Sequence, residues 1–239
     1  MRQLTVLLVD DERAARQELK RALAAYPELE LVGEAANADD AQQLITALRP
    51  DLLLLDVQLP ERSGFDLLEA LDDVPQVIFV TAYDQYALQA FEVNAFDYLL
   101  KPFREERFAK AIDKVLRHWA ATANPPDAPP ATQRLFVRDG TRCFFVQLRE
   151  VHLIESLDNY ARLHFGTQRV LLRSSLNQLE EKLDNALFFR ANRTQILNLR
   201  FIDKLLRRAN GTLRAVLTTG QTLDFSERQS TRFRQQNRL

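Results

Sequence analysis

The sequence predicts an α/β domain, a five-stranded doubly wound parallel sheet, followed by a small, mostly-β domain. Three observations carry this. Five apolar strand-like runs alternate with helix-period segments over the first 120 residues. A run of alanines and prolines, A-A-T-A-N-P-P-D-A-P-P-A, then occupies residues 120–131 without a single large apolar side chain. Beyond it the hydrophobic period shortens, and short strands with turn signals replace the strand–helix alternation. The domains are therefore placed at 1–120 and 134–239, with a semi-rigid Pro/Ala linker over 121–133.

Taken in order, residues 4–9 form an apolar strand ending at Asp10-Asp11-Glu12. Ala15, Leu19, Ala22 and Leu23 put one face on a helix over 14–25. A second strand is expected at 29–34 and a second helix at 38–48, capped by Asn37 and stopped by Pro50. Leu52-Leu53-Leu54-Leu55 reads as a strand buried on both faces, and it ends in Asp56. A helix from Gly64 to Leu71 follows, then a strand at 77–80 ending at Thr81, a helix at 84–92, a strand at 96–99 and an amphipathic helix at 104–119. Short joints between alternating elements imply right-handed crossovers, which bring the C-terminal ends of strands one, three, four and five to one edge.

That edge is where open α/β sheets hold ligands. It collects Asp10, Asp11, Asp56, Thr81 and Lys101. Crowded carboxylates repel one another, and a hard divalent cation such as Mg²⁺, which prefers oxygen ligands, relieves the repulsion. A lysine and a hydroxyl beside them suit phosphoryl oxygens, so the set fits an aspartyl-phosphate on Asp56. Lys101-Pro102 is a plausible cis peptide. Taken singly, the pieces have plainer readings: Asp10 and Asp11 can cap the first helix, and Thr81 and Lys101 can be ordinary strand-end and surface residues. The set in order on the right strands outweighs them. A hydrophobic strand ending in Asp also fits a Walker B element, but the chain lacks the G-x-x-x-x-G-K-[ST] loop that nucleotide hydrolysis needs.

In the second half, residues 135–137 and 143–146 flank Asp139-Gly140 as a hairpin. Further strands are expected at 151–155, 160–165, 170–172, 195–199, 205–208, 212–217 and 223–225, with a single helix at 174–183 and a tight turn at Asn210-Gly211. The halves differ in charge. Residues 1–120 hold 13 Lys and Arg against 22 Asp and Glu, a net of −9; the rest hold 19 against 11, a net of +8. An acidic domain joined to a basic one suggests two different tasks, and by composition alone the basic half is either a solvated surface or one that faces a polyanion. Arg and Asn are the side chains that pair with guanine and adenine edges. Cys143 is the only cysteine, which excludes an internal disulfide and favours a reducing cytoplasm; no run is apolar enough to span a membrane.

Residues 1–120 resemble the CheY-type receiver domain of two-component response regulators, a flavodoxin-like fold. The motifs V-D-D-E, L-L-L-L-D-V-Q-L-P, V-T-A and Y-L-L-K-P-F carry the likeness. It implies phosphoryl transfer from a sensor histidine kinase to Asp56, with Mg²⁺ held by Asp10, Asp11 and Asp56. It also implies a switch pair, Thr81 and Tyr98, that reshapes the surface of the helix at 84–92, the strand at 96–99 and the helix at 104–119. Residues 134–239 resemble the LytTR-type DNA-binding domain, the output module of the AlgR/AgrA/LytR regulators. F-F-R-A-N-R-T-Q-I-L-N at 188–198 stands where that family has F-x-R-x-H-R-S-x-x-V-N, with Asn192 in place of the usual His; Ser226-Glu227-Arg228 matches a later S-x-R element. The resemblance implies loops, not a helix, in the major groove. Its base-contact candidates are Asn159, Arg193 and Arg228, with Arg190 and Asn192 as further DNA-binding positions.

The function expected is a cytoplasmic response regulator controlling transcription, homodimeric when phosphorylated and binding promoter DNA as direct repeats. It would be no enzyme beyond phosphorylating and dephosphorylating its own aspartate. Two other readings remain: an RNA- or protein-binding output domain, and a phosphotransferase or phosphatase using Asp56 as a turnover nucleophile.

Overall fold

The structure, a computed structural model, describes residues 2–82, 96–122, 133–140 and 142–237. The chain divides into two compact units, Met1–Phe145 and Val146–Leu239. In the first, strands β1 (Leu4–Val9), β2 (Leu29–Ala35), β3 (Leu52–Leu55), β4 (Gln76–Thr81) and β5 (Asp97–Leu100) form one parallel sheet in the order β2-β1-β3-β4-β5. The four leucines of β3 are fully buried, and the pleat sends them both ways. Leu53 and Leu55 join Leu7, Val9, Val77 and Phe79 on one face, while Leu52 and Leu54 join Leu8, Ile78 and Val80 on the other. Each such side chain contributes roughly 1.5–3 kcal/mol by leaving water. This central strand is thus the stiff support of the sheet edge that follows it.

Helices α1 (Arg13–Leu23), α2 (Ala38–Leu48), α3 (Gly64–Glu69) and α4 (Glu105–Thr122) complete the layers. Asn37 caps α2 by accepting from Asp40 N at 2.8 Å. Ser63 and Asp66 close a capping box on α3. Helix α4 runs past Trp119 to Thr122, so the first residues of the expected linker are helical. The helix expected at 84–92 and residues 123–132 of the linker lie outside the described residues.

The hairpin of β6 (Arg134–Asp139) and β7 (Arg142–Gln147) forms a two-stranded sheet, turning at Gly140 with φ +64°. The sequence groups it with the second domain, yet its residues through Phe145 pack in the first unit. Phe136, Cys143 and Phe145 enter the apolar cluster that holds Phe65 and Phe79, and aromatic burial on that scale decides where the hairpin sits.

In the second unit, β8 (Val151–Leu157), β9 (Tyr160–Phe165), β10 (Gln168–Leu172), β11 (Phe188–Asn192) and β12 (Gln195–Asn198) form an antiparallel sheet in the order β10-β9-β8-β12-β11. A second sheet joins β13 (Ile202–Arg207), β14 (Leu213–Leu217) and β15 (Thr222–Asp224). Helices α5 (Leu176–Lys182) and α6 (Glu227–Asn237) complete it. Phe189, Phe225 and Phe233 pack ring on ring at 5.0–5.6 Å in a core with Leu153, Leu197 and Leu213.

Two imidazoles are buried in this unit, on neighbouring strands, with ring centroids 5.9 Å apart. Burial holds both His152 and His164 below the ordinary histidine pKa. His164 Nε2 lies 2.8 Å from Glu155 Oε2, and that carboxylate offsets the desolvation only in part. Both rings therefore protonate less readily in the fold than in the unfolded chain. Their contribution to stability is complete above the unfolded value, about 6.5, and is lost as pH falls below it. Urea unfolding should show a loss of about 1 kcal/mol between roughly pH 7.5 and pH 5.5. A His152→Leu, His164→Leu chain should flatten that slope; an unchanged slope would assign it to other groups.

Candidate functional site

The parallel register brings the predicted acidic residues together. Asp10 follows β1, Asp56 follows β3, Thr81 ends β4 and Lys101 follows β5. Lys101 Nζ donates to Asp10 Oδ2 at 2.5 Å and to Asp56 Oδ2 at 2.7 Å, bridging the two strand ends. The remaining oxygens face backbone donors: Asp10 Oδ1 accepts from Glu12 N at 2.9 Å, and Asp56 Oδ1 from Gln58 N at 3.0 Å. Neither Asp10 nor Asp11 caps α1, whose N-cap is Glu12 and makes no side-chain cap bond. The plainer reading of the acidic pair therefore fails.

The electrostatics follow from burial. Asp10 is 1% exposed, and desolvation raises its pKa above the ordinary carboxylate value, against the hydrogen bond from Lys101. Burial opposes the charge on Lys101, but its two carboxylate partners outweigh this and its pKa is raised. One oxygen from each of Asp10, Asp11 and Asp56 can lie within 4.8 Å of the others. Three hard oxygen donors at that spacing fit a divalent cation of the Mg²⁺ class.

Thr81 is fully buried, and its hydroxyl has no hydrogen-bond partner among the described residues. A buried orphan hydroxyl costs free energy unless something arrives to accept from it. Its backbone is fixed beside the lysine, because Lys101 N donates to Thr81 O at 2.8 Å. The Lys101-Pro102 peptide is cis. Tyr98, opposite Phe79 in the β4–β5 register, is buried at 7% exposure. Arg107 ties the start of β5 to α4 through Asp97 Oδ2 at 3.0 Å and Tyr98 O at 2.9 Å.

The site opens into a cleft of about 790 Å³ whose lining includes Asp11, Asp56, Gln58, Lys101, Arg138 and Cys143. Sequence reasoning misses the last two. They lie far along the chain, on the hairpin, and nothing local marks them as neighbours of Asp56. Gly64 reads in the sequence only as the start of a helix. A Cβ there would stand 2.4 Å from Asp56 O, so only glycine lets α3 begin this close to the acidic loop.

In the second unit, Asn159, Arg193 and Arg228 are all exposed. They occupy the β8–β9 turn, the β11–β12 turn and the first turn of α6. Backbone hydrogen bonds stitch the three segments side by side: Ser156 N donates to Thr194 O at 2.8 Å, and Ser226 N to Ala191 O at 2.9 Å. Arg190 is not free in the same way. Its guanidinium donates to Asn177 Oδ1, Asn192 O and Arg193 O at 2.7–3.1 Å and pairs with Glu180. Asn192 is likewise engaged. It donates to Gln195 Oε1 and Asp224 O, each at 2.8 Å, and accepts from Thr194 N at 2.9 Å. Asn198, fully buried, donates to Val151 O and accepts from Arg200 N, shaping the chain after β12.

Comparison with known proteins adds to this geometry. Residues 6–113 match the response regulator receiver domain, and residues 141–237 match the LytTr DNA-binding domain. The chain is 37% identical over 227 residues to an uncharacterized response regulatory protein of Vibrio cholerae, covering 94% of each. It is 35% identical over 226 residues to the sensory transduction protein LytT of Enterococcus faecalis, covering 92% of this chain and 93% of that one. The transcriptional regulatory protein BtsR of Escherichia coli is 32% identical over 231 residues, with 94% and 95% covered.

Proposed function

The chain belongs to the response regulators that join a receiver domain to a LytTR DNA-binding domain, and from that premise we propose that Asp56 is its phosphoacceptor and that the three stitched loops of the second unit read its DNA. The observation that carries the first half is the Lys101 bridge between Asp10 and Asp56 beside the orphan hydroxyl of Thr81. In this reading an Asp56 carboxylate oxygen attacks the phosphorus of a phosphohistidine on a sensor kinase. The new O–P bond forms as the P–N bond breaks, and its electron pair stays on the donor imidazole. Asp10, Asp11 and Asp56 would hold Mg²⁺, which offsets charge on the phosphoryl oxygens when bound. Lys101 meets one phosphoryl oxygen as a point charge, and Thr81 donates its hydroxyl to another. Thr81 moves toward that oxygen, and Tyr98 follows as its switch partner.

Phosphorylation here is stoichiometric. One phosphoryl group per chain, with its slow loss to water, is the expected labelling from a small acyl phosphate; release of many equivalents would make the first unit a phosphatase. The protein acts in the cytoplasm, where histidine kinases present their phosphohistidines. Phosphorylated chains pair, so two second units bind direct repeats, and the link between them raises avidity on the order of a hundredfold.

On DNA, exposed Asn159, Arg193 and Arg228 supply base contacts, while Arg190 and Asn192 act from beneath by holding the β11–β12 turn. Arg228→Ala should weaken binding to a selected cognate duplex by about 1–3 kcal/mol, roughly tenfold or more, and leave binding to scrambled duplex nearly unchanged. Equal losses on both duplexes at the same salt would make Arg228 a phosphate contact only. Selection from random duplexes with the full chain should recover paired short motifs about one helical turn apart; enrichment of RNA alone would move the output to RNA.

A further inference from the structure

The β6–β7 hairpin is fastened to the first unit more firmly than a connecting segment needs to be. Arg134 N donates to Asp73 Oδ1 at 2.9 Å, and Val74 N returns a bond to Arg134 O at 2.9 Å. The Arg134 guanidinium, buried, donates to Pro75 O and Gln76 Oε1 and lies 4.6 Å over the Phe145 ring. Burial lowers its pKa to about 10, still well above neutrality, so a full positive charge is held under the hairpin. Further along, Arg138 pairs with Asp66 at 3.1 Å and Glu69 at 3.2 Å, clamping β6 to α3.

An aromatic chain runs inward from this dock. Phe145 meets Phe136 at 5.1 Å, Phe136 stacks on Phe65 at 5.9 Å and 3°, and Phe65 meets Phe79 of β4 at 5.3 Å. Phe65 is the second residue of α3, and α3 begins against the acidic loop with no slack. Gly64 N donates to Val57 O at 2.8 Å, and no side chain fits between Gly64 and Asp56 O. The segment from Asp56 to Phe65 is therefore a short, tight tether between the carboxylate and the ring that carries the hairpin. Strand β7, Arg142–Gln147, includes the boundary between the two units at Phe145 and Val146.

We infer that the β6–β7 hairpin is the element through which the chemical state of Asp56 leaves the first unit, its dock on α3 loosening when Asp56 is esterified. The inference rests on Asp56 being the phosphoacceptor. Esterification ties up one carboxylate oxygen and removes the charge that Gln58 N and Lys101 Nζ now share. It also brings up to two negative charges into the cleft that Arg138 lines, where they compete with Asp66 and Glu69 for the guanidinium. Both changes act on the tether and on the clamp at once. Packed interfaces respond to such shifts by changing arrangement instead of deforming smoothly.

The chain carries its own reporter. Cys143, its only cysteine, sits on β7 within the hairpin's apolar contact at 2% exposure, with burial pushing its thiol up to about 11. Alkylation of the full chain by iodoacetamide is then gated by undocking. With Mg²⁺ and beryllofluoride as the phosphoryl mimic, the labelling rate should rise about tenfold, within the ordinary range of coupling between two sites. Fluorine NMR reports separately whether beryllofluoride is bound. Bound beryllofluoride with an unchanged or slower labelling rate overturns the inference and leaves Asp56 as phosphoacceptor; no bound fluorine signal removes both. Coupling is reciprocal, so Phe136→Leu, which loosens the dock from the other side, should label faster without beryllofluoride and bind it more tightly. Arg138→Gln removes the clamp together with the guanidinium that the phosphoryl charge draws on, so it should label faster without beryllofluoride and gain less from it; faster labelling of Phe136→Leu with unchanged beryllofluoride affinity also overturns the inference.

Discussion

Incubated with Mg²⁺ and a small acyl phosphate, the chain should gain the mass of one phosphoryl group, and an Asp56→Asn chain should gain none. The expected loss is on the order of a thousandfold or more in rate, the scale seen when a nucleophile is removed from its constellation. Asparagine keeps the shape of the side chain and can still accept from Gln58 N, and although it loses the ion pair with Lys101, the lysine stays paired with Asp10. Its amide offers no anionic oxygen to attack phosphorus. The neighbouring carboxylates are poor substitutes. Asp10 is buried and held by both Glu12 N and Lys101, and Asp11 is exposed to solvent. Intact-mass spectrometry makes the comparison directly. Full labelling of the Asp56→Asn variant would place the acceptor elsewhere and sink the proposed chemistry.

Lys101→Met is expected to have the second largest effect, on stability. Lys101 is the cation between two carboxylates that are 1% and 7% exposed, and removing one partner of a buried ion pair typically costs about 3–5 kcal/mol. Because Lys101 keeps some contact with solvent, about 3 kcal/mol is the expected loss in urea without added metal. Two dependencies identify its origin. A Mg²⁺ ion held as proposed by the folded carboxylate cluster would not bind the unfolded chain, so the midpoint of the variant should rise with Mg²⁺ more steeply than that of the parent. The pH dependence follows from Asp10, whose raised pKa climbs further without the lysine. A group with a raised folded pKa favours the fold at low pH and loses that contribution as pH rises through the folded value. The penalty should therefore be largest near neutrality and shrink as pH falls toward the carboxylate range. A loss independent of both Mg²⁺ and pH would point to lost packing of the lysine stem.

Much of the first unit is legible in the sequence because its signals are local and strong. The leucine run of β3, the alternation of strands and helices, and the cap at Asn37 each act within a few residues. Ordering those strands into a parallel sheet then collects Asp10, Asp56, Thr81 and Lys101 without further information. What the sequence hides depends on contacts between distant segments. Arg138 and Cys143 reach the cleft only because Phe136 prefers the ring of Phe65. Helix α6 escapes a reading by pattern because its segment, E-R-Q-S-T-R-F-R-Q-Q-N, has one apolar residue and so no hydrophobic period. Phe233 and Ser230 hold it in place, the ring in the aromatic core and the hydroxyl accepting from Leu213 N at 3.0 Å. Strand β11 reads as a motif and not as a strand, since F-F-R-A-N lacks alternation; its pairing with β12 supplies what the pattern does not.

The stitching of the three loops in the second unit constrains how such a protein can diversify. Ser156 is bonded to Thr194 and Ser226 to Ala191 through main-chain atoms, and Asn192 reaches Asp224 O as well. An inserted or deleted residue in any one loop would break a bond to its neighbour and displace the others. Side chains at 159, 193 and 228 carry no such obligation, because they project into solvent from a fixed frame. If these positions read DNA as proposed, new binding sequences are accessible by point substitution at a few exposed positions, while loop length stays locked. Chains built this way can differ in what they recognise and still share the spacing at which they recognise it.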